Sequence, residues 1–399
     1  MRIFGVWMWP QSVRRCGAQS VVSRCVRMGV TDIFFLTKGL AGTASCLSQT
    51  VPGCAERDLL GELLDAAHKA GVRVHAWLTS ASDEYYKALH PQSGRCHFTR
   101  GRDKGLISLA DEGYLRYMER FVRELCRGYD LDGLHLDYIR YNHLLYGWGE
   151  EDEARYAAAG ADPAHLRRLM DITFCCGDKS DTACIFDALR AGDEHVLALA
   201  QTRRQDVMRF ATALTSAART EKPALCLTAA LMPEGAYEDT TFADLHYGQS
   251  YADAAVLYDY VLPMAYSKAY EKDSGWVRTV AEGTLKHGLK TVMGLHAYDG
   301  GTGPSLQADI AVLDRTAVDG VCLFREGAFA PVIADGRSVT LINTLENPIT
   351  ALLPAPGEAI ITPIQAIAPD EERRIALPCA PDRIRIFTGE AEACVYLVR

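Results

Sequence analysis

The chain has 399 residues, of which 48% are hydrophobic and 23% are charged, a composition typical of a globular protein with a large core. Its formal net charge of -9 opposes binding to the phosphate backbone of nucleic acids. No apolar run in the sequence approaches the roughly 20 residues that a membrane-spanning helix requires. Neither nucleic acid nor a membrane is therefore an expected partner.

The cysteines and the amino terminus indicate the compartment. The chain has 13 cysteines, scattered without the C-x-x-C pairs of a zinc site, and several lie in apolar segments. We expect reduced thiols, which behave as small hydrophobic side chains when buried. The first residues carry arginines after the apolar stretch, whereas a secretory signal carries its positive charges before it. A cytoplasmic location is expected, and a secreted protein with a removed signal is the alternative.

Eight short apolar segments follow one another, and most are followed by a turn and a stretch with helical apolar spacing. They are IFGVWMW (3–9), DIFFLT (32–37), VRVHAWL (72–78), GLHLDYI (133–139), LCLTAAL (225–231), YVLPMAY (260–266), TVMGLHAY (291–298) and GVCLFRE (320–326). Alternating strands and helices predict a parallel sheet, and eight such units close a barrel. The predicted fold class is α/β, a (β/α)8 TIM barrel over residues 1–335. An open doubly wound sheet is the alternative.

Two segments depart from this alternation. About sixty residues separate Tyr141 from the next helical pattern, so residues 143–200 are predicted to be a long insertion after strand 4. An insertion there hangs over the catalytic face of a barrel and is either a lid or substrate wall, or a decoration without a role. Residues 336–399 contain many prolines and β-branched residues without a helical period. They are predicted to form a small all-β C-terminal domain.

The predicted fourth strand carries charge in an apolar context. His135 and Asp137 share one of its faces, and Leu134 and Leu136 share the other, because side chains alternate along a strand. The leucines are expected to meet the outer helices, which places His135 and Asp137 inside the barrel. Asp137 would lie at the carboxyl end of the strand, where barrel enzymes hold their catalytic groups. Asp137 is therefore the principal catalytic candidate.

The same alternation places aromatic or polar side chains at the carboxyl ends of other strands. They are Trp7, Trp9, His75, Trp77, Tyr266, His296 and Tyr298. Aromatic rings in such a position are typical of sugar binding, because the faces of sugar rings are apolar. Two further carboxylates, Glu234 after the fifth strand and Glu326 closing the eighth, are candidate partners of Asp137.

A pair of carboxyls among aromatic rings is suited to glycosidic bond cleavage, where one protonates the leaving oxygen and the other activates water or attacks the sugar. One acid suffices where the substrate's own acetamido group attacks, and Tyr266 would then steady that group. Metal hydrolysis by histidines converging with Asp137 is a weaker alternative, because the first strand lacks H-x-H and no H-E-x-x-H occurs. No nucleotide-binding glycine motif follows a strand, so no cofactor is expected.

The stretch YDLDGLHLDYIRY (129–141) resembles the signature of the glycosyl-hydrolase-like 10 family. Shorter similarities follow in YVLPMAYSK (260–268) and GVCLFREG (320–327). The resemblance covers most of residues 1–330. It implies a barrel related to glycoside hydrolases and a carbohydrate substrate.

The resemblance also implies roles for residues in this stretch. The signature aspartate of the family maps on Asp137, its arginine on Arg140, and its tyrosines on Tyr138 and Tyr141. Arg140 and Tyr141 are therefore expected to contact substrate. His75 and His135 are further candidates, although histidines this deep in a barrel are more often core residues that orient their neighbours. Arg140 either holds a carboxylate charge or a substrate group, or forms a structural ion pair with Asp137, and we expect such a pair to lower the pKa of Asp137.

The sixth strand is remotely similar to that of the chitinase-like family. However, Ser267 stands where that family has an aspartate, and no glutamate ends the fourth strand, so a chitinase is not predicted. The leading hypothesis is an O-glycoside hydrolase with Asp137 as one catalytic carboxylate and Glu234 or Glu326 as its partner. A non-catalytic sugar-binding barrel is the alternative, and a metal-dependent deacetylase or amidohydrolase is a third possibility.

Overall fold

The computed structural model confirms the predicted fold class, because eight parallel strands close a barrel in the order in which they occur along the chain. The structure describes residues 2–53, 57–174, 184–297, 303–335, 338–355, 358–363, 366–376, 384–389, 391–393 and 395–398. The barrel strands are β1 (Ile3–Met8), β2 (Asp32–Lys38), β3 (Arg73–Thr79), β4 (Gly133–Asp137), β5 (Cys226–Leu231), β6 (Tyr260–Ala265), β7 (Val292–His296) and β8 (Gly320–Phe324). Strand β8 pairs with β1 and completes the closure.

Helices cover the outside of the barrel and also form the insertion after β4. Within the described residues they are α1 (Pro10–Cys16), α2 (Ala18–Arg27), α3 (Leu59–Lys69), α4 (Glu84–Leu89), α5 (Glu112–Gly128), α6 (Glu150–Ala158), α7 (Pro163–Phe174), α8 (Cys184–Arg190), α9 (Glu194–Glu221), α10 (Thr241–His246), α11 (Tyr251–Leu257), α12 (Ser274–Lys286) and α13 (Gly303–Leu313). Helix α3 begins where the carboxylate of Asp58 accepts a hydrogen bond from the backbone N–H of Gly61 at 3.0 Å. It ends before Gly71, whose φ of +71° suits glycine. No helix in the described part of the chain is long and apolar enough to cross a membrane.

Two hydrophobic clusters follow from the alternation of side chains along the strands. The outer cluster lies between sheet and helices and includes Leu134 and Leu136, as predicted. Burying one leucine fully stabilises the fold by about 1.5–3 kcal/mol. The inner cluster fills the barrel and consists of Trp7, Phe34, Trp77, Leu262, Val292 and Cys322. His135 belongs to this interior, because its ring centroid lies 4.9 Å from that of Phe34.

The insertion after β4 is helical where the structure describes it. Helices α6, α7 and α8 and the first residues of α9 build a separate hydrophobic core that includes Leu144, Trp148 and Tyr156. Helix α9 is 28 residues long, and its amino-terminal part packs into this core. Its later residues, among them Phe210, pack into the barrel core instead. One continuous helix therefore belongs to both cores.

In the part of the chain that the structure describes, strands outside the barrel form three smaller sheets. A hairpin of Gly94–His97 and Gly101–Ile107, which was not predicted, follows β3. The carboxyl-terminal strands are β9 (Ala330–Asp335), β10 (Ser338–Ile342), β11 (Thr350–Ala355), β12 (Glu358–Pro363), β13 (Glu372–Ala376), β14 (Arg385–Thr388), β15 (Ala391–Ala393) and β16 (Val395–Val398). They are ordered β13-β10-β9-β16 and β12-β11-β14-β15. Strand β9 belongs to the first of these sheets, although it precedes residue 336, where the small domain was predicted to begin.

Candidate active site

A cavity of about 550 Å³ opens at the carboxyl ends of the barrel strands. Its described lining residues are Trp7, Trp9, Pro10, Gln11, Leu36, Gly39, Leu40, Thr43, Ser45, Trp77, Thr79, Asp137, Tyr138, Arg140, Met232, Met264, Tyr266, Tyr270 and Phe324. Of the predicted site residues, Trp9, Trp77, Asp137, Arg140 and Tyr266 are thus brought together. A cavity of this size, walled by aromatic rings with few polar groups, is typical of a small-molecule or sugar site.

Asp137 is the last residue of β4 and is 6% exposed. The indole Nε1 of Trp77 donates a hydrogen bond to Oδ2 at 3.1 Å, and the backbone N–H of Tyr138 donates to Oδ1 at 2.7 Å. Burial raises the pKa of Asp137, and it outweighs these two bonds and the charge of Arg140, all of which lower that pKa. A carboxyl whose pKa is raised is suited to donate a proton.

The backbone turns sharply at the residue after Asp137. Tyr138 has a φ of +55°, a left-handed conformation that is uncommon for a residue with a side chain. Such backbone strain is found most often at functional sites, where the surrounding structure holds it in place. The turn allows the chain to leave β4 while Asp137, Tyr138 and Arg140 all line the same cavity.

The predicted ion pair between Arg140 and Asp137 is not formed. Among the described residues, no carboxylate oxygen lies within 4.0 Å of the Arg140 guanidinium. The guanidinium carbon lies instead 5.0 Å from the ring centroid of Tyr138 and 5.8 Å from that of Tyr247. The expectation that the pKa of Asp137 is lowered was therefore wrong, because burial has the larger effect.

The hydrogen bond from Trp77 to Asp137 leads to a testable prediction. In Trp77→Phe the ionised form of Asp137 loses a donor, so the pKa of Asp137 rises further. If Asp137 acts as the acid, activity falls as pH increases through that pKa, and the falling limb should move up by about one pH unit. The pH profile of kcat/KM measures this shift. Trp9→Phe removes another indole of the same wall without touching Asp137, and an equal shift in that variant would contradict the prediction.

Glu234 does not line the cavity but contacts a residue that does. It belongs to the 3-10 turn Pro233–Ala236 after β5 and is 9% exposed. The hydroxyl of Tyr270, which lines the cavity, donates to Oε1 of Glu234 at 3.2 Å, and the hydroxyl of Tyr247 donates to the same oxygen at 3.3 Å. Burial raises the pKa of Glu234, and both tyrosines and the charge of Arg140 oppose this. Glu234 is thus close to the site but reaches it through Tyr270.

Tyr270 was not predicted as a site residue. Its backbone N–H donates to the carbonyl of Tyr266 at 3.1 Å, so a single helical turn brings both rings to the cavity. The spacing of four residues between the two tyrosines is the sequence signal that would have identified Tyr270.

Glu326 does not face the cavity, contrary to its predicted catalytic role. It is 1% exposed, its Oε1 accepts a hydrogen bond from Arg24 of α2 at 3.1 Å, and its Oε2 accepts one from Ser12. Arg24 also pairs with Asp370 of the carboxyl-terminal region at 3.0 Å. Glu326 therefore belongs to an ion network between the barrel and the small sheets.

His75 and His135, both candidate substrate contacts, lie buried in the barrel interior as core histidines, and neither lines the cavity. His75 Nε2 lies 2.8 Å from Oδ1 of Asp32. Trp7 donates to His135 Nε2 at 3.1 Å, and an indole N–H only donates, so the proton of His135 is on Nδ1, 2.9 Å from the hydroxyl of Thr228. Burial lowers the pKa of His135 well below its usual range, so the ring is neutral.

Tyr141 is also structural, contrary to its predicted contact with substrate. It is 1% exposed, and its hydroxyl donates to Oδ2 of Asp206 in α9 at 2.6 Å. Its ring centroid lies 3.8 Å from the guanidinium carbon of Arg203 and 4.8 Å from that of Arg95. The tyrosine thus fixes the segment after β4 against the insertion.

The two remaining predicted residues follow β7. His296 ends that strand, is 5% exposed, and lies with its ring centroid 6.0 Å from that of Tyr266. It therefore packs near a lining residue. Tyr298 lies outside the described residues. Within the described ranges, no group of three or more His, Cys, Asp and Glu side chains is arranged to hold a metal ion.

Solved structures of other proteins have a fold similar to that of this chain. The glycoside hydrolase domain of PgaB (BpsB) from Bordetella bronchiseptica superposes with a TM-score of 0.65 at 14% identity, over 82% of this chain and 94% of that one. The chain shares the barrel fold of that domain. The catalytic domain of beta-amylase from Paenibacillus polymyxa superposes with a TM-score of 0.56 at 10% identity, over 81% and 92%. Alpha-L-fucosidase isoenzyme 2 from Paenibacillus thiaminolyticus reaches 0.56 at 16% identity, over 82% and 46%.

No family model matches the chain, and no curated protein matches it either. Sequence identities between 10% and 16% show a shared fold and nothing about the reaction. Membership of the glycosyl-hydrolase-like 10 family therefore stays a prediction.

The insertion does not contribute to the cavity wall in the part of 143–200 that the structure describes. The segment after β2 forms that side instead, through Gly39, Leu40, Thr43 and Ser45. Sequence reasoning missed this segment, because small residues in a short loop carry no distinctive signal. The alternative of a substrate wall is thus not supported for the described part of the insertion.

Proposed function

We propose that this chain is a glycoside hydrolase acting on a carbohydrate, with Asp137 as the acid that protonates the glycosidic oxygen. The observation that carries the proposal is a buried carboxyl with a raised pKa at the carboxyl end of β4, in a cavity walled by aromatic rings. The likeness of the barrel to the Bordetella glycoside hydrolase domain supports the same reading.

The proposed reaction uses the residues around Asp137 directly. The apolar face of a sugar ring stacks on the indoles of Trp9 and Trp77, which line the cavity. The Asp137 proton passes to the glycosidic oxygen as the bond to the anomeric carbon breaks. The carboxylate that remains is stabilised by the N–H groups of Trp77 and Tyr138, which already bond to its oxygens. Water or a nucleophile then adds to the anomeric carbon.

The second group in this mechanism is proposed to be Glu234, which would activate water or attack the sugar after Tyr270 moves aside. Glu234→Gln is expected to lower kcat by about 100-fold, the scale of a positioned acid or base. Steady-state kinetics on the cleaved substrate measure the loss. Glu234→Ala leaves space for a small anion, so added azide is expected to restore part of the rate.

The alternative is attack by an acetamido group of the substrate, steadied by Tyr266. In that case Glu234→Gln would keep kcat within about threefold of wild type and azide would have no effect. Cleavage would also be limited to substrates with a 2-acetamido group. Such a result would remove Glu234 from the mechanism and leave the role of Asp137 intact.

The experiment that tests the proposed function is cleavage of a glycoside panel. The panel contains aryl glycosides of both anomers and bacterial and plant oligosaccharides, with and without acetamido groups, and new reducing ends are measured. Cleavage by wild type that Asp137→Asn abolishes supports the proposal. Binding of a sugar without cleavage would favour the non-catalytic barrel. In that alternative Asp137, the only carboxylate among the described lining residues, lacks a catalytic partner in the cavity wall.

A further inference from the structure

Arg140 is the only Lys or Arg side chain among the described residues that line the cavity. It is half-buried, and its guanidinium carbon lies 5.0 Å from the ring centroid of Tyr138 and 5.8 Å from that of Tyr247. In the part of the chain that the structure describes, this guanidinium has neither an ion-pair partner nor a hydrogen-bond acceptor, and its Nε is buried without a partner. A positive charge is therefore held in the wall of the cavity with its donors unused.

Other buried arginines of the chain are engaged in structure. Arg95 donates to the carbonyls of Ile107 at 2.8 Å and Arg140 at 3.2 Å. Arg203 donates to the carbonyl of Tyr146 at 2.7 Å, and Arg24 pairs with Glu326. Each of these side chains has Nη groups bonded to a fixed acceptor. Arg140 differs from them, because among the described residues its Nη groups have no fixed acceptor, although its charge acts on the nearby carboxyls of Asp137 and Glu234.

We propose that Arg140 binds a carboxylate of the sugar in the cavity, so that the substrate contains a uronic acid or another acidic sugar unit. This inference rests on the proposed function and names the substrate class of the same site. The planar guanidinium presents two parallel N–H donors that match the two oxygens of a carboxylate. The ring of Tyr138, whose centroid lies 5.0 Å from the guanidinium carbon, makes a cation–π contact that helps hold the side chain at the cavity wall.

The charges around the cavity agree with this assignment. The chain as a whole carries a formal net charge of -9, which repels an acidic saccharide, so a local cation is needed to attract one. Burial raises the pKa of both Asp137 and Glu234, a shift in the direction that lessens repulsion of an acidic ligand. Among the described lining residues, Arg140 is the Lys or Arg side chain that can attract such a ligand.

The test measures binding in the Asp137→Asn background, so that turnover does not interfere. The probes are oligogalacturonate, alginate and hyaluronan oligosaccharides, each paired with its carboxyl-reduced derivative, in which the carboxylate is a primary alcohol and the linkages are unchanged. At least one acidic probe is expected to bind about tenfold or more tightly than its reduced partner by calorimetry, the scale of a charge-assisted hydrogen bond. Arg140→Gln should bring that ratio within about threefold.

Two further variants separate the roles of charge and geometry. Arg140→Lys keeps the charge but not the fork, so its ratio is expected to fall between those of the other two proteins. Arg116→Gln removes an equal charge from an exposed helical position, where Arg116 pairs loosely with Glu112, and should leave the ratio unchanged. Thermal unfolding of each variant verifies that it is folded.

Several results would overturn the inference. One is that no acidic probe binds more tightly than its reduced partner, and another is that the tighter binding persists in Arg140→Gln. A third is that sulfated neutral oligosaccharides are preferred over their desulfated forms as strongly as acidic probes are over their reduced forms. Cleavage of neutral sugars with no acid preference would refute the inference and leave the proposed function standing. Arg140-dependent binding of acids with no cleavage by wild type would instead refute the proposed hydrolase and retain the acid site.

Discussion

Asp137→Asn is expected to lower kcat for glycoside cleavage by at least about 100-fold, the contribution of a positioned general acid. Asparagine has the size of aspartate, but its single side-chain oxygen accepts only one of the two hydrogen bonds that Trp77 and the Tyr138 N–H donate to Asp137, so thermal unfolding of the variant verifies that it is folded. Asparagine carries no proton that the leaving oxygen can take. KM should change little, because the lost interaction exists mainly in the transition state.

The matched control for this variant is Glu326→Gln. It makes the same chemical change in a buried carboxylate that also ends a barrel segment, but one that pairs with Arg24 outside the cavity. Its kcat is expected to stay within about threefold of wild type, while its melting temperature falls because Arg24 loses a charged partner. If Asp137→Asn retained more than a tenth of the wild-type kcat, or if Glu326→Gln lost as much as Asp137→Asn, the assignment of the acid would be wrong.

Lys38→Met is expected to lower the free energy of unfolding by about 3–5 kcal/mol. Lys38 ends β2, its Nζ lies 3.0 Å from Oδ2 of Asp83, and both side chains are fully buried. The same Nζ donates to the carbonyl of Ser82 at 2.9 Å. Methionine fills the space of lysine but leaves the charge of Asp83 buried without its partner. Denaturant unfolding followed by circular dichroism measures the change.

Two companion variants test this explanation. Arg278→Met breaks the exposed pair between Arg278 and Glu282 with the same new side chain, and it should cost no more than about 0.5 kcal/mol. The double variant Lys38→Met with Asp83→Leu removes both charges and should be more stable than Lys38→Met alone. A loss below about 1 kcal/mol in Lys38→Met would show that the pair contributes little.

The pair also positions part of the cavity. Lys38 directly precedes the segment that contributes Gly39 and Leu40 to the wall, and the backbone N–H of Glu84 donates to the carbonyl of Leu40 at 3.1 Å. A weakened Lys38–Asp83 contact should therefore loosen this side of the site as well as the fold.

The sequence was sufficient to predict the barrel and the position of Asp137, because both follow from local periodicity. Eight apolar segments with intervening helices define the closed sheet, and alternation along β4 separates Asp137 from Leu136. The same rule predicted Trp77 at the cavity. These features depend on residues that are close in sequence or on the regular geometry of parallel strands.

The errors concern residues whose partners are distant in the sequence. Glu326 follows a strand end much as Asp137 does, but Arg24 pairs with it from 302 positions away. Tyr141 resembles a substrate contact until Arg203 and Asp206 of α9 are placed around it. The pKa of Asp137 depends on how deeply the carboxyl is buried, which the sequence does not give. Long-range packing determines all three.

Helix α9 limits how the insertion can move. At 28 residues it is a rod about 42 Å long, and it is held in the insertion core at one end and in the barrel core at the other. A continuous helix transmits a displacement from one end to the other, so the insertion is not suited to a hinge motion relative to the barrel. Asp206, within this rod, holds Tyr141, the neighbour of Arg140. A displacement of the insertion helices would thus be transmitted to the cavity through Tyr141. This residue is adjacent to Arg140, the only Lys or Arg among the described lining residues.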